Sequence, residues 1–195
     1  MEKYYSLQKL NIKTSEIEIQ KSRFLGFAKY ANSVEDASTF INEIKQKYKD
    51  ARHIVYGYII DGVQKSTDDG EPSGTAGKPI LEYLLHAKVN CLVVVVVRYF
   101  GGIKLGTGGL CRAYVGAVKQ TIENNLLQYT QGAKYLARLN YKEYQDFLSF
   151  CKNKEIKVLN TQFLEEVLVE FVAFKDYAFN AKMENLGLVY ETMGE

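Results

Sequence analysis

This sequence predicts an α+β fold in two domains, residues 1–130 and 131–195, and three observations carry that expectation. Segments with an apolar residue at every second position alternate along the chain with segments whose apolar residues recur every three or four. Residues 91–97, CLVVVVV, are apolar on both faces, which suits a strand at the centre of a covered sheet. The residues after 132 read strand–helix–strand–strand–helix–strand, the ferredoxin-like order.

Taken in order, Ile17 and Ile19 alternate with Glu16 and Glu18, and Phe24-Leu25 opens a second extended segment after a polar turn at Lys21-Ser22-Arg23. Ser33 with Asp36 three positions on marks a helix start, and Ala37, Phe40, Ile41, Ile44 and Tyr48 supply one apolar face. HIVYGYII is a strand. The polar stretch from Asp61 to Pro79, with its Asp-Gly, Glu-Pro and Ser-Gly steps, predicts a long loop. A helix follows over Lys78–Lys88, with Pro79 tolerated in its first turn. Beyond the valine strand, Leu110, Tyr114, Ala117, Val118, Thr121 and Ile122 recur at helical spacing, and Gln128–Gly132 reads as a linker. In the last part KYLARLNY is a strand, and Tyr144, Phe147, Leu148 and Cys151 share a helical face. IKVLNTQF and EVLVEFVAF are strands, Phe179, Met183 and Leu186 mark a helix, and LVYETM closes the domain.

A chain of 195 residues with net charge +2 does not have the charge of a general nucleic-acid coat. The charge is uneven, however: residues 1–130 hold 17 basic and 13 acidic side chains, and residues 131–195 hold 8 and 10. An anionic partner therefore suits the front domain. Cys91, Cys111 and Cys151 are widely spaced, with no paired motif, which fits a reducing compartment. The N-terminus lacks an apolar leader, and the longest apolar run falls far short of the ~20 residues a bilayer requires, so a cytoplasmic location without membrane attachment is expected.

The chemistry-bearing stretches are rich in glycine. RYFGGIKLGTGGLCRAY, residues 98–114, places five glycines and three basic side chains between a buried strand and a helix. Neither nucleotide fingerprint is present. Gly77-Lys78 lacks the Walker A context, because Pro72 stands in place of the first glycine and Pro79 in place of the hydroxyl. Gly106-Thr107-Gly108 begins a dinucleotide motif, but Cys111 occupies the third glycine position. A helix starting at Gly106, Thr107, Gly108 and Gly109 would still offer unpaired amides and a positive dipole end to an anion. Lys21, Arg23, Arg98, Lys104 and Arg112 are the candidate cations. The competing reading is that the glycines serve only positive φ angles and close packing.

STDDGEPSGTAGKP carries the opposite charge. Asp68, Asp69 and Glu71, with His53 at the start of a strand, form a candidate acidic wall. They are suited either to acid–base or cation chemistry, or to turn formation and capping. Their spacing does not separate the two. Cys91 reads as a buried, inert thiol; Cys111, early in a helix, has no histidine partner in the sequence. No catalytic residue, metal ligand set or cofactor is assigned.

DGEPSGTAGKPIL (69–81) and VVVVRYFGGIKLGTGGLCRAY (94–114) resemble the signature segments of the YigZ/IMPACT family, and KSRF (21–24) and the strand from His53 resemble its earlier motifs. Cys111 departs from the family, where an aliphatic residue is usual. The resemblance implies an N-terminal domain similar to the second domain of a small-subunit ribosomal protein, with a left-handed βαβ crossover. It also implies a C-terminal ferredoxin-like domain similar to the last domain of elongation factor G. Eukaryotic members regulate translation by competing for a ribosome-associated activator of a starvation-responsive kinase. Bacteria lack that kinase, and nucleic-acid binding has been proposed for their members. The resemblance thus implies a non-catalytic, translation-linked binding protein whose partner is RNA, the ribosome or a translation-associated protein. In that reading the basic residues named above meet RNA phosphates, and Tyr99 and Phe100 are available to stack on bases. The rival expectation is an enzyme acting on a small phosphorylated or carboxylated molecule between the two glycine-rich loops.

Overall fold

The computed structural model describes residues 3–152, 154–175 and 183–191. The chain divides into two compact units, one of residues 5–127 and one of residues 128–195 together with residues 1–4.

The first unit is built on an antiparallel five-stranded sheet. Strand β1 (Lys3–Ser6) precedes it; β2 (Lys13–Ile19) and β3 (Ser22–Tyr30) then form a hairpin. The hairpin turn is Gln20-Lys21, both with positive φ (47° and 63°), the primed-turn geometry that matches strand twist. Ser22 and Arg23, expected in the turn, are therefore the first residues of β3. Helix α1 (Val34–Lys47) starts where expected, with Ser33 Oγ accepting the Asp36 amide at 3.1 Å. Strand β4 (His53–Ile60) leads through a second turn with positive φ, Asp61-Gly62, into β5 (Val63–Thr67). The expected long loop thus contains an edge strand. Helix α2 (Gly77–His86), strand β6 (Leu92–Tyr99) and helix α3 (Gly106–Ile122) complete the unit, and a short 3-10 turn follows α3.

The sheet order is β2-β3-β6-β4-β5, with β6 antiparallel to both β3 and β4. β3 and β4 therefore run parallel with β6 between them, and α1 is the crossover that joins them. The alternation along β6 explains its unbroken apolar run. Val93, Val95 and Val97 pack in the core that includes Phe40, Ile41 and Ile44 of α1. Leu92, Val94 and Val96 pack with Ile80 and Leu84 of α2 and Leu110 and Tyr114 of α3. Each buried side chain of this kind contributes about 1.5–3 kcal/mol relative to exposure. A strand covered on both faces has no room for polar alternation.

The second unit holds β7 (Leu127–Leu139), α4 (Tyr141–Cys151), β8 (Ile156–Phe163), β9 (Val167–Ala173) and β10 (Met183–Glu191). The order β10-β7-β9-β8 is antiparallel throughout, and β1 also pairs with β7. Gln128–Gly132, expected as a linker, is the first part of β7. Asn140 and Glu143 form a reciprocal capping box at the start of α4, and Phe147 packs on Val169 and Phe171. The expected helix through Phe179, Met183 and Leu186 is corrected in part. Met183 and Leu186 lie in β10, whereas Phe179 falls outside the described residues. Thr192 and Met193 of the expected last strand also fall outside them. No helix among the described residues is long and apolar enough to cross a membrane.

Candidate anion-binding site

Sheet register brings the first functional row together. Phe24 on β3 and His53 on β4 are the two cross-strand neighbours of Arg98 on β6. Arg98 continues the Val94–Val96 side of β6, so its guanidinium enters the layer beneath α3. It lies 5.4 Å from the Phe24 ring centre and 5.6 Å from that of Phe100. Arg98 is only 5% exposed. Its Nη1 donates to Glu71 Oε1 at 2.6 Å, and its Nη2 lies 3.4 Å from Ser22 Oγ. Its Nε is buried without a hydrogen-bond partner.

Glu71, 8% exposed, is held from the other side by Tyr114, whose hydroxyl donates to the same Oε1 at 2.7 Å. Burial and the neighbouring Glu71 carboxylate push the Tyr114 phenol far up, so it remains a donor. His53 Nδ1 sits 2.8 Å from the Asp69 carbonyl, which can only accept; the ring proton is therefore on Nδ1. Nε2 then faces Glu71 Oε1 at 3.9 Å.

The two aspartates of the acidic loop are spent on backbone. Asp69 Oδ2 accepts the Ile54 amide at 2.6 Å, and the Asp69-Gly70 turn has positive φ at both residues. Asp68 accepts from Gly74, Ala76 and Gly77 at 2.8–2.9 Å, and so neutralises the amide-rich start of α2. Burial alone would push the Asp68 carboxyl up, but these three amides outweigh it and hold the group below the usual carboxylate range. A depressed value in the folded state means stabilisation that is complete above the unfolded value of about 3.9 and lost as pH falls through the folded one. Asp68→Asn is expected to lower stability at neutral pH by about 1–2 kcal/mol and to flatten the acid limb of a urea-midpoint-versus-pH curve.

Helix α3 is different. Its first turn has no side-chain cap and holds no acidic residue, so no carboxylate of its own neutralises the amides there. Gly106 has φ +70°, and a side chain there would meet no neighbouring atom, so the helix entrance is open. Gly101, earlier in the same loop, has the opposite role: a Cβ there would meet the Lys21 carbonyl carbon at 2.0 Å, which locks the loop onto the β2–β3 turn.

Between the two glycine-rich loops lies a cavity of about 410 Å³. Of the predicted residues, His53, Glu71, Arg98, Lys104, Gly106 and Thr107 line it. Asp68, Asp69, Gly108, Gly109, Lys21, Arg23 and Arg112 do not. Arg98, expected to meet RNA phosphate, is instead buried against Glu71, because sheet register turns it inward. Arg23 is exposed but paired with Glu16 at 2.8 Å, its guanidinium 5.8 Å from the Tyr99 ring centre. The Tyr99 hydroxyl donates to Asp50, whereas Phe100 is 43% exposed and lines the cavity. Sequence reasoning missed Arg52, Ser22 and Tyr114. Arg52 had a signal, since it directly precedes the histidine strand. Cys111, on α3, is not among the lining residues, and burial pushes the Cys91 thiol up to about 12, leaving it uncharged. Among the described residues no group of three or more His, Cys, Asp or Glu is placed to hold a metal ion.

The molecule is thus a two-domain protein of mixed α and β structure, with a ligand-sized cavity in its N-terminal unit. It belongs to the IMPACT family: residues 20–122 match the Impact N-terminal domain. The chain is 36% identical over 174 residues to the IMPACT family member YigZ of Escherichia coli, covering 85% of each chain. It is 37% identical over 166 residues to the IMPACT family member YvyE of Bacillus subtilis, covering 72% of this chain and 76% of that one. A crystal structure described as a hypothetical protein superposes with a TM-score of 0.63 at 32% identity, covering 89% of this chain and 86% of that one.

Proposed function

We propose that this chain is a non-catalytic, translation-linked binding protein that contacts RNA through an anionic group taken into the cavity of its N-terminal unit. One observation carries the reading: the uncapped start of α3 shares a cavity with Lys104 and Arg52, while the start of α2 nearby is neutralised by Asp68. Membership of the IMPACT family supports the link to translation. Phosphate neutralisation releases counterions, so affinity for a single-stranded RNA should fall steeply as salt rises. Arg52→Glu with Lys104→Glu should weaken binding by at least about tenfold, since each lost charge contact with phosphate is a large part of the non-specific term. Affinity that is indifferent to salt and to these substitutions would count against the proposal. Arg98 is unsuitable for this test, because removing it disturbs the fold.

A second reading is favoured by His53. Its Nδ1 is held by the Asp69 carbonyl and its Nε2 lies 3.9 Å from the Glu71 carboxylate in the cavity wall, an arrangement compatible with acid–base work on a small phosphorylated or carboxylated substrate. Consumption of such a substrate by the intact chain, abolished in His53→Ala, would establish it in place of the binding reading.

A further inference from the structure

The cavity walls hold more positive charge than their carboxylate balances. Arg52, Lys104 and Arg98 stand against Glu71 alone, and Glu71 is already shared by Arg98 and Tyr114. Arg52 and Lys104 are exposed and have no ionic partner among the described residues. Two features then point at a ligand. The first turn of α3 offers amides without a side-chain cap, and the same cavity carries the two exposed cations, Arg52 and Lys104, that no carboxylate among the described residues balances. Arg98, nineteen-twentieths buried and already bonded to Glu71, adds charge to the wall rather than a donor the ligand can reach.

Size and lining narrow the class. About 410 Å³ lies within the range of small-molecule sites and exceeds what a bare oxyanion fills. Pro72, Leu105 and Leu110 give one side an apolar surface, and Phe100 leaves part of its ring exposed. Glu71 and Leu110, both nearly buried, make the inner wall. A phosphate monoester carries a charge between −1 and −2 near neutral pH and three terminal oxygens, whereas an internal phosphodiester carries −1 and two free oxygens. Walls with a net charge of +2 and several unpaired donors match the monoester better.

We infer that the cavity receives the terminal phosphoryl group of a nucleotide, its phosphate at the start of α3 and its nucleoside body against Pro72, Leu105 and Phe100. This rests on the anion-site reading above and specifies it: the group is an end, not a running backbone. The nucleotide is either free or the phosphorylated end of an RNA chain.

The test measures binding of the full chain to four probes: AMP, adenosine, and one short oligoribonucleotide with a 5′-phosphate or a 5′-hydroxyl. Each is repeated with Thr107→Glu, which supplies a carboxylate to the free amides of α3. That substitution is expected to preserve or slightly raise the melting temperature while removing binding; Arg52→Ala with Lys104→Ala is the second variant should Thr107→Glu not fold. The expected result is a preference of about 10- to 100-fold for a phosphorylated probe over its hydroxyl counterpart, lost in the variant. RNA that binds equally with either end and is indifferent to the variant, with AMP no better than adenosine, overturns the inference and leaves the RNA reading standing. AMP that binds and is sensitive to the variant, beside RNA that does not bind, supports the inference and overturns the RNA reading.

Discussion

Glu71→Ala is expected to destabilise the N-terminal unit by about 3–5 kcal/mol, the cost of leaving a buried guanidinium without its counter-charge. For a chain of this size that corresponds to a fall of roughly 6–20 °C in melting temperature. Arg98 cannot turn to water, because Phe24 and Phe100 flank it and only 5% of it is exposed. Tyr114 loses its acceptor at the same time. Arg98→Met should cost a similar amount by stranding Glu71. The double variant Glu71→Ala with Arg98→Met should cost clearly less than the two single losses added together, since it leaves no lone charge in the interior. Thermal and urea denaturation of the four proteins measures this coupling. Single variants within about 0.5 kcal/mol of the parent, the level of an ordinary surface change, would mean that the pair is not the buried clamp described here.

Gly101→Ala should have the next largest effect, about 2–3 kcal/mol, the upper part of the usual overpacking range. The added carbon would fall 2.0–2.4 Å from the carbonyl carbon and oxygen of Lys21 and the amide nitrogen of Ser22, all backbone atoms of the tight β2–β3 turn. No side-chain rotation relieves that clash. Either the turn shifts or the loop lifts, and lifting would break the bond from the Gly101 amide to Ser22 Oγ. Gly102→Ala is a useful comparison: a Cβ there meets nothing, and its cost comes from φ +86° alone. Urea midpoints should therefore fall further for Gly101→Ala than for Gly102→Ala, and the reverse order would remove the packing role assigned to Gly101.

Much of the fold was legible in one dimension. Ser33 with Asp36 marked the start of α1, and the valine run announced a doubly covered strand; the equivalent cap of Asn140 with Glu143 went unread. A cap is legible because its energetics depend on residues within a turn of one another, and a doubly covered strand because its composition leaves no polar face. Where the readings went astray, local pattern was ambiguous. β5, VQKST, has no hydrophobic alternation because it is a half-exposed edge whose stability comes from pairing with β4. Phe179, Met183 and Leu186 are spaced four and then three apart, as on one helical face; Met183 is nonetheless strand because it pairs with Ala137 of β7, and Leu186 lies at an irregularity in the same pairing.

The candidate site divides along the same line. The sequence alone determined that two glycine-punctuated segments of opposite charge exist, that one opens a helix without an acidic first turn, and that the valine strand leads into it. Those are properties of residue type and spacing. Only the tertiary structure decided which charges remain available. A side chain on a strand faces one layer or the other by parity, and its partners come from register with strands distant in sequence. That geometry buried Arg98 on Glu71, spent Asp68 and Asp69 on backbone amides, and left Lys104, Arg52 and the start of α3 facing one cavity.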